Sequence, residues 1–268
     1  CLEAAGELVA WSEELFAVKS IERPARSALS RASWVLAGLT TVADWVGSNQ
    51  RWFPYHPPSL APDAYYRDVA LPRAERAVVD AGLLPPKVSP FPGFAELTGS
   101  TFPPTESQQW AATVSLPSGP TLALIEDLTG SGKTEAALVL AQRLMETGRA
   151  DGIFVALPTM ATANAMYGRL RTAYRRLYQS QDRPSLVLAH GAAKLHDAFR
   201  QSVVPIDDPQ AATAADDDRD GARAACAAWL ADTRRKAFLA DVGVGTIDQA
   251  LLAVLPAKFQ SLRSESVV

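Results

Sequence analysis

Apolar and polar positions alternate in two different rhythms along this chain. Up to about residue 84 the rhythm is helical. In "LEAAGELVAWSEEL", Leu8, Trp11 and Leu15 recur at intervals that place them on one inward face of a surface helix. In "SRASWVLAGLTTVADWVGSN", Trp34, Leu36, Leu39, Val42 and Val46, with the small Ala37 and Gly38, are apolar nearly all round, which predicts a central helix. Four prolines in "RWFPYHPPSLAPDAYY" interrupt the pattern and predict a loop pinned by its aromatics. "LPRAERAVVDAGL" resumes as a helix with Pro72 near its start and Gly82 near its end.

"PPKVSPFPG", residues 85–93, has four prolines in nine residues and reads as a linker, because proline cannot join the interior of a sheet or helix. From about residue 94 the rhythm becomes strand, helix, strand, helix. "TLALIED", "GIFVALPT", "SLVLAH" and "AFLADVGV" are short apolar runs, separated by helical stretches such as 134–147 and 160–178. That alternation predicts an α/β fold, a parallel sheet with helices on both faces. The acidic, alanine-rich run at 207–224 predicts a solvated loop.

The stretch "LALIEDLTGSGKTEAALVLAQRL", residues 122–144, carries the clearest chemistry. Leu122 to Ile125 read as a short buried strand, Asp127 to Gly132 as a turn, and Lys133 to Leu144 as a helix closed by Gly148. Ala137, Leu138, Ala141 and Leu144 mark its buried face. Gly130 and Gly132 let backbone amides approach an anion, and the open N–H groups of the helix start add partial positive charge. Lys133 is placed to reach the β and γ phosphates of ATP, and the Thr134 hydroxyl to ligate Mg²⁺. Thr129, Ser131 and Glu135 complete the candidate contact set. The strict phosphate-loop pattern has Gly six residues before the lysine, where this chain has Asp127. That departure argues against small GTPases and adenylate-kinase-like enzymes more than against helicase-type ATPases. The plain competing reading is a Gly/Ser turn joining two core elements.

Composition adds limits. The 268 residues, 48% hydrophobic, suffice for one large or two modest domains, and a net charge of -3 excludes a globally basic nucleic-acid binder. Cys1 and Cys226 lack metal-ligand spacing, so a disulfide framework and a zinc site are unsupported and a cytoplasmic setting fits. No apolar run predicts a membrane span, and the N-terminus lacks the pattern of a signal peptide. A first residue other than Met suggests an incomplete chain.

Five stretches together resemble the CRISPR-associated helicase-nuclease of type I interference systems, a superfamily 2 helicase with an N-terminal HD nuclease domain. They are "LAGLTTVADWVGSN", "IEDLTGSGKTEAAL", "ALPTMATANAMYGRL", "LAHGAAKL" and "VGVGTIDQALLAVLPAKFQ", and their order and spacing span residues 36–260. The resemblance implies that 1–84 is the helical C-terminal part of an HD domain and 94–268 a RecA-like first helicase lobe. It implies that Asp44 is the last metal-ligating aspartate of a site for divalent transition metals, where a carboxylate helps lower the pKa of an attacking water. One carboxylate does not make a two-metal site, and His56, His190 and His196 do not sit at the family's other ligand positions. Without the resemblance, Asp44 reads as a hydrogen-bonding or helix-end residue.

By the same resemblance, Gln108 reads the adenine edge, with Gln109 as the fallback and a polar residue opening a helix as the plain reading. Thr159 and Thr162 are implied to track the phosphates of single-stranded DNA, as are the later loops with His190 and Gly191, then Gly245, Thr246, Asp248 and Gln249. The helix body "ANAMYGRLRTAYRRLY" reads as amphipathic with a solvated basic face. ATP splitting in this family needs an apolar run ending in Asp-Glu, and no Asp-Glu pair occurs in these 268 residues. The expectation is therefore a lobe truncated before that motif, which binds nucleotide and hydrolyses it poorly or not at all. In the full-length parent it belongs to a translocase that feeds DNA to the nuclease, recruited by an RNA-guided surveillance complex. A vestigial nucleotide-binding interaction module without catalysis is the alternative; a phosphate-loop kinase is weaker, because "PTMATANAM" and "GTIDQA" have no role in it.

Overall fold

The computed structural model describes residues 2–17, 25–55, 60–182, 184–193, 196–204, 226–231 and 234–252. Helix α1 (Leu2–Leu15) and the long α2 (Arg26–Gly47) come first. Their apolar residues are less buried than their spacing predicts. Leu8 is 60% exposed and Leu39 62%, with Trp34, Val35 and Leu36 also outward, whereas Gly38 and Val46 are buried. The reason is partnership: α2 meets other described elements chiefly through Val42, Trp45 and Val46 near its C-terminal end, so an apolar circumference does not make it central.

Residues 62–80 form one continuous helical rod, α3 (Pro62–Tyr65), a π-helical turn (Tyr66–Ala70) and α4 (Leu71–Asp80). The loop predicted through "APDAYY" therefore ends earlier, and Pro72 lies inside the rod instead of at its start. A proline offers no N–H and crowds the preceding turn. The wider turn absorbs this, since the Leu71 N–H donates to the Tyr66 carbonyl, five residues back.

The Pro-rich segment 85–93 is fastened to residues far along the chain. Lys87 N–H donates to Asp182 Oδ2 (2.6 Å), Gln179 N–H to the Lys87 carbonyl (2.8 Å) and Ser89 N–H to the Leu177 carbonyl (2.9 Å). Gln142 Nε2 adds a bond to the Ser89 carbonyl.

Next come α5 (Phe94–Thr98), α6 (Glu106–Thr113), α7 (Lys133–Glu146), β1 (Ile153–Leu157), α8 (Met160–Ala173), β2 (Leu186–Ala189) and α9 (Asp197–Ser202). A small parallel pair, β3 (Val203–Val204) and β4 (Cys226–Ala227), precedes β5 (Val242–Thr246) and α10 (Ile247–Leu251). The main sheet is parallel and three-stranded, in the order β1-β5-β2. Its register sets Leu157 beside Thr246 and Ala189 beside Gly245. The fold is mixed α/β, with a core of Tyr167, Tyr174, Leu177, Leu186, Val242 and Val244.

Four expectations shift here. The predicted strand at 122–125 does not form; Leu122 is 97% exposed, because none of the described strands lies alongside to pair with it. The strand read over 237–244 begins at Val242, after a 3-10 helix at Arg234–Leu239. The helix read over 160–178 tightens to 3-10 at Tyr174–Leu177. The buried face of α7 is Ala136, Val139, Leu140, Gln142 and Met145, rotated from the predicted one and leaving Ala137 exposed. The acidic run at 207–224 and His56 lie outside the described residues.

Candidate functional site

The turn before α7 is shaped by two glycines in left-handed conformation, Gly130 (φ 86°) and Gly132 (φ 85°). The backbone angle at Gly132 favours glycine, and a β-carbon there would also push Gln108 Nε2 from its place. The loop curls round its own lysine: Lys133 Nζ donates to the carbonyls of Asp127 and Leu128, both at 2.7 Å. The Asp127 carboxylate accepts from Leu128 N–H (2.8 Å) and Ser107 Oγ (2.9 Å). These bonds, the Leu128 amide first, hold its pKa below the ordinary carboxylate value.

Gln108 links α6 to this loop. Its Oε1 accepts from the Thr105 N–H (2.9 Å) in a capping box that opens α6, and its Nε2 donates to the Gly132 carbonyl (3.2 Å). The residue is buried, with its amide engaged by backbone; Gln109 is exposed. Thr105 Oγ1 adds a bond to the Ser131 carbonyl (3.3 Å).

The first turn of α7 carries Thr134 and Glu135. Arg169 of α8 reaches both, pairing with Glu135 Oε1 and lying 3.5 Å from Thr134 Oγ1. The sequence hides Arg169, since nothing in a basic helix face tells which arginine crosses to a neighbouring helix.

Three further loops leave the carboxyl edge of the sheet, where parallel order gathers them. Thr159 caps α8, accepting from Thr162 N–H (3.2 Å) while Thr162 Oγ1 accepts from Thr159 N–H (3.2 Å); both threonines are exposed. After β2, Gly191 is exposed but His190 is buried. The Ala192 N–H donates to His190 Nδ1 (3.2 Å), so the proton belongs on Nε2, which donates to Asn164 Oδ1 (2.7 Å). Burial, then the neighbouring His196, holds the His190 pKa below the usual imidazole value. After β5, Gly245 packs where a β-carbon would lie 2.6 Å from the Ala189 carbonyl oxygen, and Thr246 and Gln249 are buried. Asp248 is exposed and accepts from Gln249 Nε2 (2.9 Å).

Asp44 stands apart, exposed near the end of α2. Among the described residues, no group of three or more His, Cys, Asp or Glu side chains could hold a metal ion. These residues therefore do not fit a two-metal centre. Nor is any helix among them long and apolar enough to cross a membrane.

Comparison with known proteins gives a consistent picture. The family profile "Cas3, HD domain" matches residues 1–53. Over 237 residues, 86% of this chain, the sequence is 36% identical to the CRISPR-associated endonuclease/helicase Cas3 of Escherichia coli K12. It is 35% identical over 235 residues to the Thermus thermophilus protein of the same name. The crystal structure of T. fusca Cas3-ATP superposes with a TM-score of 0.69 at 33% identity, covering 87% of this chain and 24% of that one. The chain spans about a quarter of the length of these curated relatives.

Proposed function

We propose, from the premise that this chain belongs to the Cas3 family, that residues 94–268 form a RecA-like lobe whose loop before α7 binds ATP. The observation that carries the reading is the loop itself: two left-handed glycines, a lysine ammonium inside the curl, and a helix start directly behind. These residues fit a triphosphate. Thr129, Gly130 and Gly132 offer backbone amides, Ser131 one that now donates to the Leu128 carbonyl (3.3 Å), Lys133 a cation, and the Thr134 hydroxyl a ligand for Mg²⁺. Bound Mg²⁺ would screen phosphate charge. Lys133 would exchange the carbonyls of Asp127 and Leu128 for phosphate oxygens. Gln108 holds Gly132 in place, and its amide would have to turn to read adenine.

The carboxyl-edge loops divide into two roles. Thr159, Thr162, Gly191 and Asp248 are at the surface, where hydroxyls and amides can meet the backbone of single-stranded DNA without reading bases. His190, Gly245, Thr246 and Gln249 are buried and shape those loops. Residues 1–84 would belong to an HD nuclease. Asp44 would supply one metal ligand there. Cleavage of DNA, ATP-driven translocation and recruitment by an RNA-guided surveillance complex in the cytoplasm would be activities of the whole protein.

The experiment is titration of the chain with ATP and Mg²⁺, beside Lys133→Ala. A loss of affinity of about tenfold or more is expected from removing the lysine. Equal affinity for both proteins would defeat the reading. The exposed run at 122–124 favours a second reading, an interaction module with a vestigial seat, under which neither protein binds ATP.

A further inference from the structure

Glu135 puts a negative charge where a nucleotide would bring several more. It lies in the first turn of α7, and its Oε2 is 3.4 Å from where a β-carbon of Gly132 would stand, so the carboxylate leans over the phosphate-binding loop and not away from it. A carboxylate at a helix start is stabilised by the helix dipole, but beside a polyanion it repels. Arg169 meets that carboxylate directly. Its guanidinium comes from α8, forms the ion pair with Glu135 Oε1, and sets Nη1 3.5 Å from Thr134 Oγ1. The pair is partly exposed, with side-chain exposures of 52% for Arg169 and 31% for Glu135, so water weakens it without removing it.

We propose that Arg169 is a positioning and charge-neutralising residue of the nucleotide seat: it draws the Glu135 carboxylate aside and cancels its charge, which lets the loop accept a ligand with two or more phosphates. The inference rests on the reading of the loop as a nucleotide site. It adds a residue that the phosphate-loop pattern does not contain. It also ties the seat to the helix that begins at Thr159 and Thr162.

The test compares ATP, ADP and AMP binding by calorimetry, at low and high salt, for the wild-type chain, Arg169→Ala and the double variant Arg169→Ala/Glu135→Gln. Arg169→Ala should weaken ATP about fivefold at low salt, ADP less and AMP least, with the defect shrinking as salt rises. The double variant should recover most of the loss, because the repelling charge is gone. Arg169→Ala with wild-type affinity overturns the proposal. So does a double variant as weak as the single one, which would make Arg169 a direct phosphate contact or a plain structural tie. If Arg169→Ala does not fold, Glu135→Gln alone decides: tighter ATP binding at low salt supports the proposal, and unchanged or weaker binding overturns it. A wild-type chain that binds no ATP, or binds it equally after Lys133→Ala, removes the seat itself and the inference with it. That result is distinct from a functioning seat that is indifferent to Arg169.

Discussion

The Lys236 ammonium lies 4.1 Å from the ring centroid of Trp229. It is also 5.7 Å from the ring of Trp45 on α2, and Trp52 packs 6.2 Å from Trp229 while its Nε1 donates to Asp80 Oδ2 (3.3 Å). A lysine only 7% exposed thus joins the N-terminal helices to the segment leading into β5. Lys236→Met should cost about 1 kcal/mol and Trp229→Leu about 3 kcal/mol in urea unfolding. Because the two residues touch, the double variant should lose less than the sum. Strict additivity would show that the cation and the ring do not cooperate.

Gly132→Ala should disable the loop. The new methyl group is strained at φ 85° and collides with Gln108 Nε2. The expected loss is about 1–3 kcal/mol of stability, together with ATP binding. Gly148→Ala is the control: it has a similar backbone angle (φ 66°) but nothing within 4 Å of the added carbon, so it should spare binding.

His190 makes stability depend on pH in a defined direction. Its folded pKa is lowered from 6.5, so the unfolded chain takes up the proton first. The neutral-ring contribution is fully present above that value and is lost as pH falls below it, when Nδ1 can no longer accept the Ala192 N–H. Thermal midpoints should drop between pH 7 and pH 5, and His190→Gln should flatten that slope. A slope identical in the variant would assign the effect to other groups.

Arg143 fastens α6 to α7, donating to the carbonyls of Ala111 (2.8 Å) and Val114 (2.7 Å). Arg143→Met keeps the aliphatic stem and removes both bonds, at a cost of about 2–3 kcal/mol. Hydrogen exchange at Ala111–Val114 should accelerate; unchanged protection would show that the tie is dispensable.

Local shape was readable from sequence, and partnership was not. The loop at 127–132, the helix opening at Lys133 and the strands Ile153–Leu157 and Leu186–Ala189 depend on neighbours a few residues away, which the letters display. Leu122 and Leu124 have the composition of a strand, but a strand also needs an adjacent strand, and none of those described runs beside them. Trp34, Leu36 and Leu39 show the same limit for α2, because periodicity reveals an apolar surface without saying what covers it. Asn164 and Arg169 act across 26 and 34 residues of sequence, on His190 and Glu135, and no local signal announces either contact.

A proline-rich connector ordinarily lets its neighbours swing. Here Lys87 and Ser89 are stitched to Leu177, Gln179 and Asp182, and Val88 forms an antiparallel bridge with Tyr178. There is little slack between the rod ending at Asp80 and the edge carrying Tyr178. Torque on the sheet would pass through these bonds toward the rod that ends at Asp80.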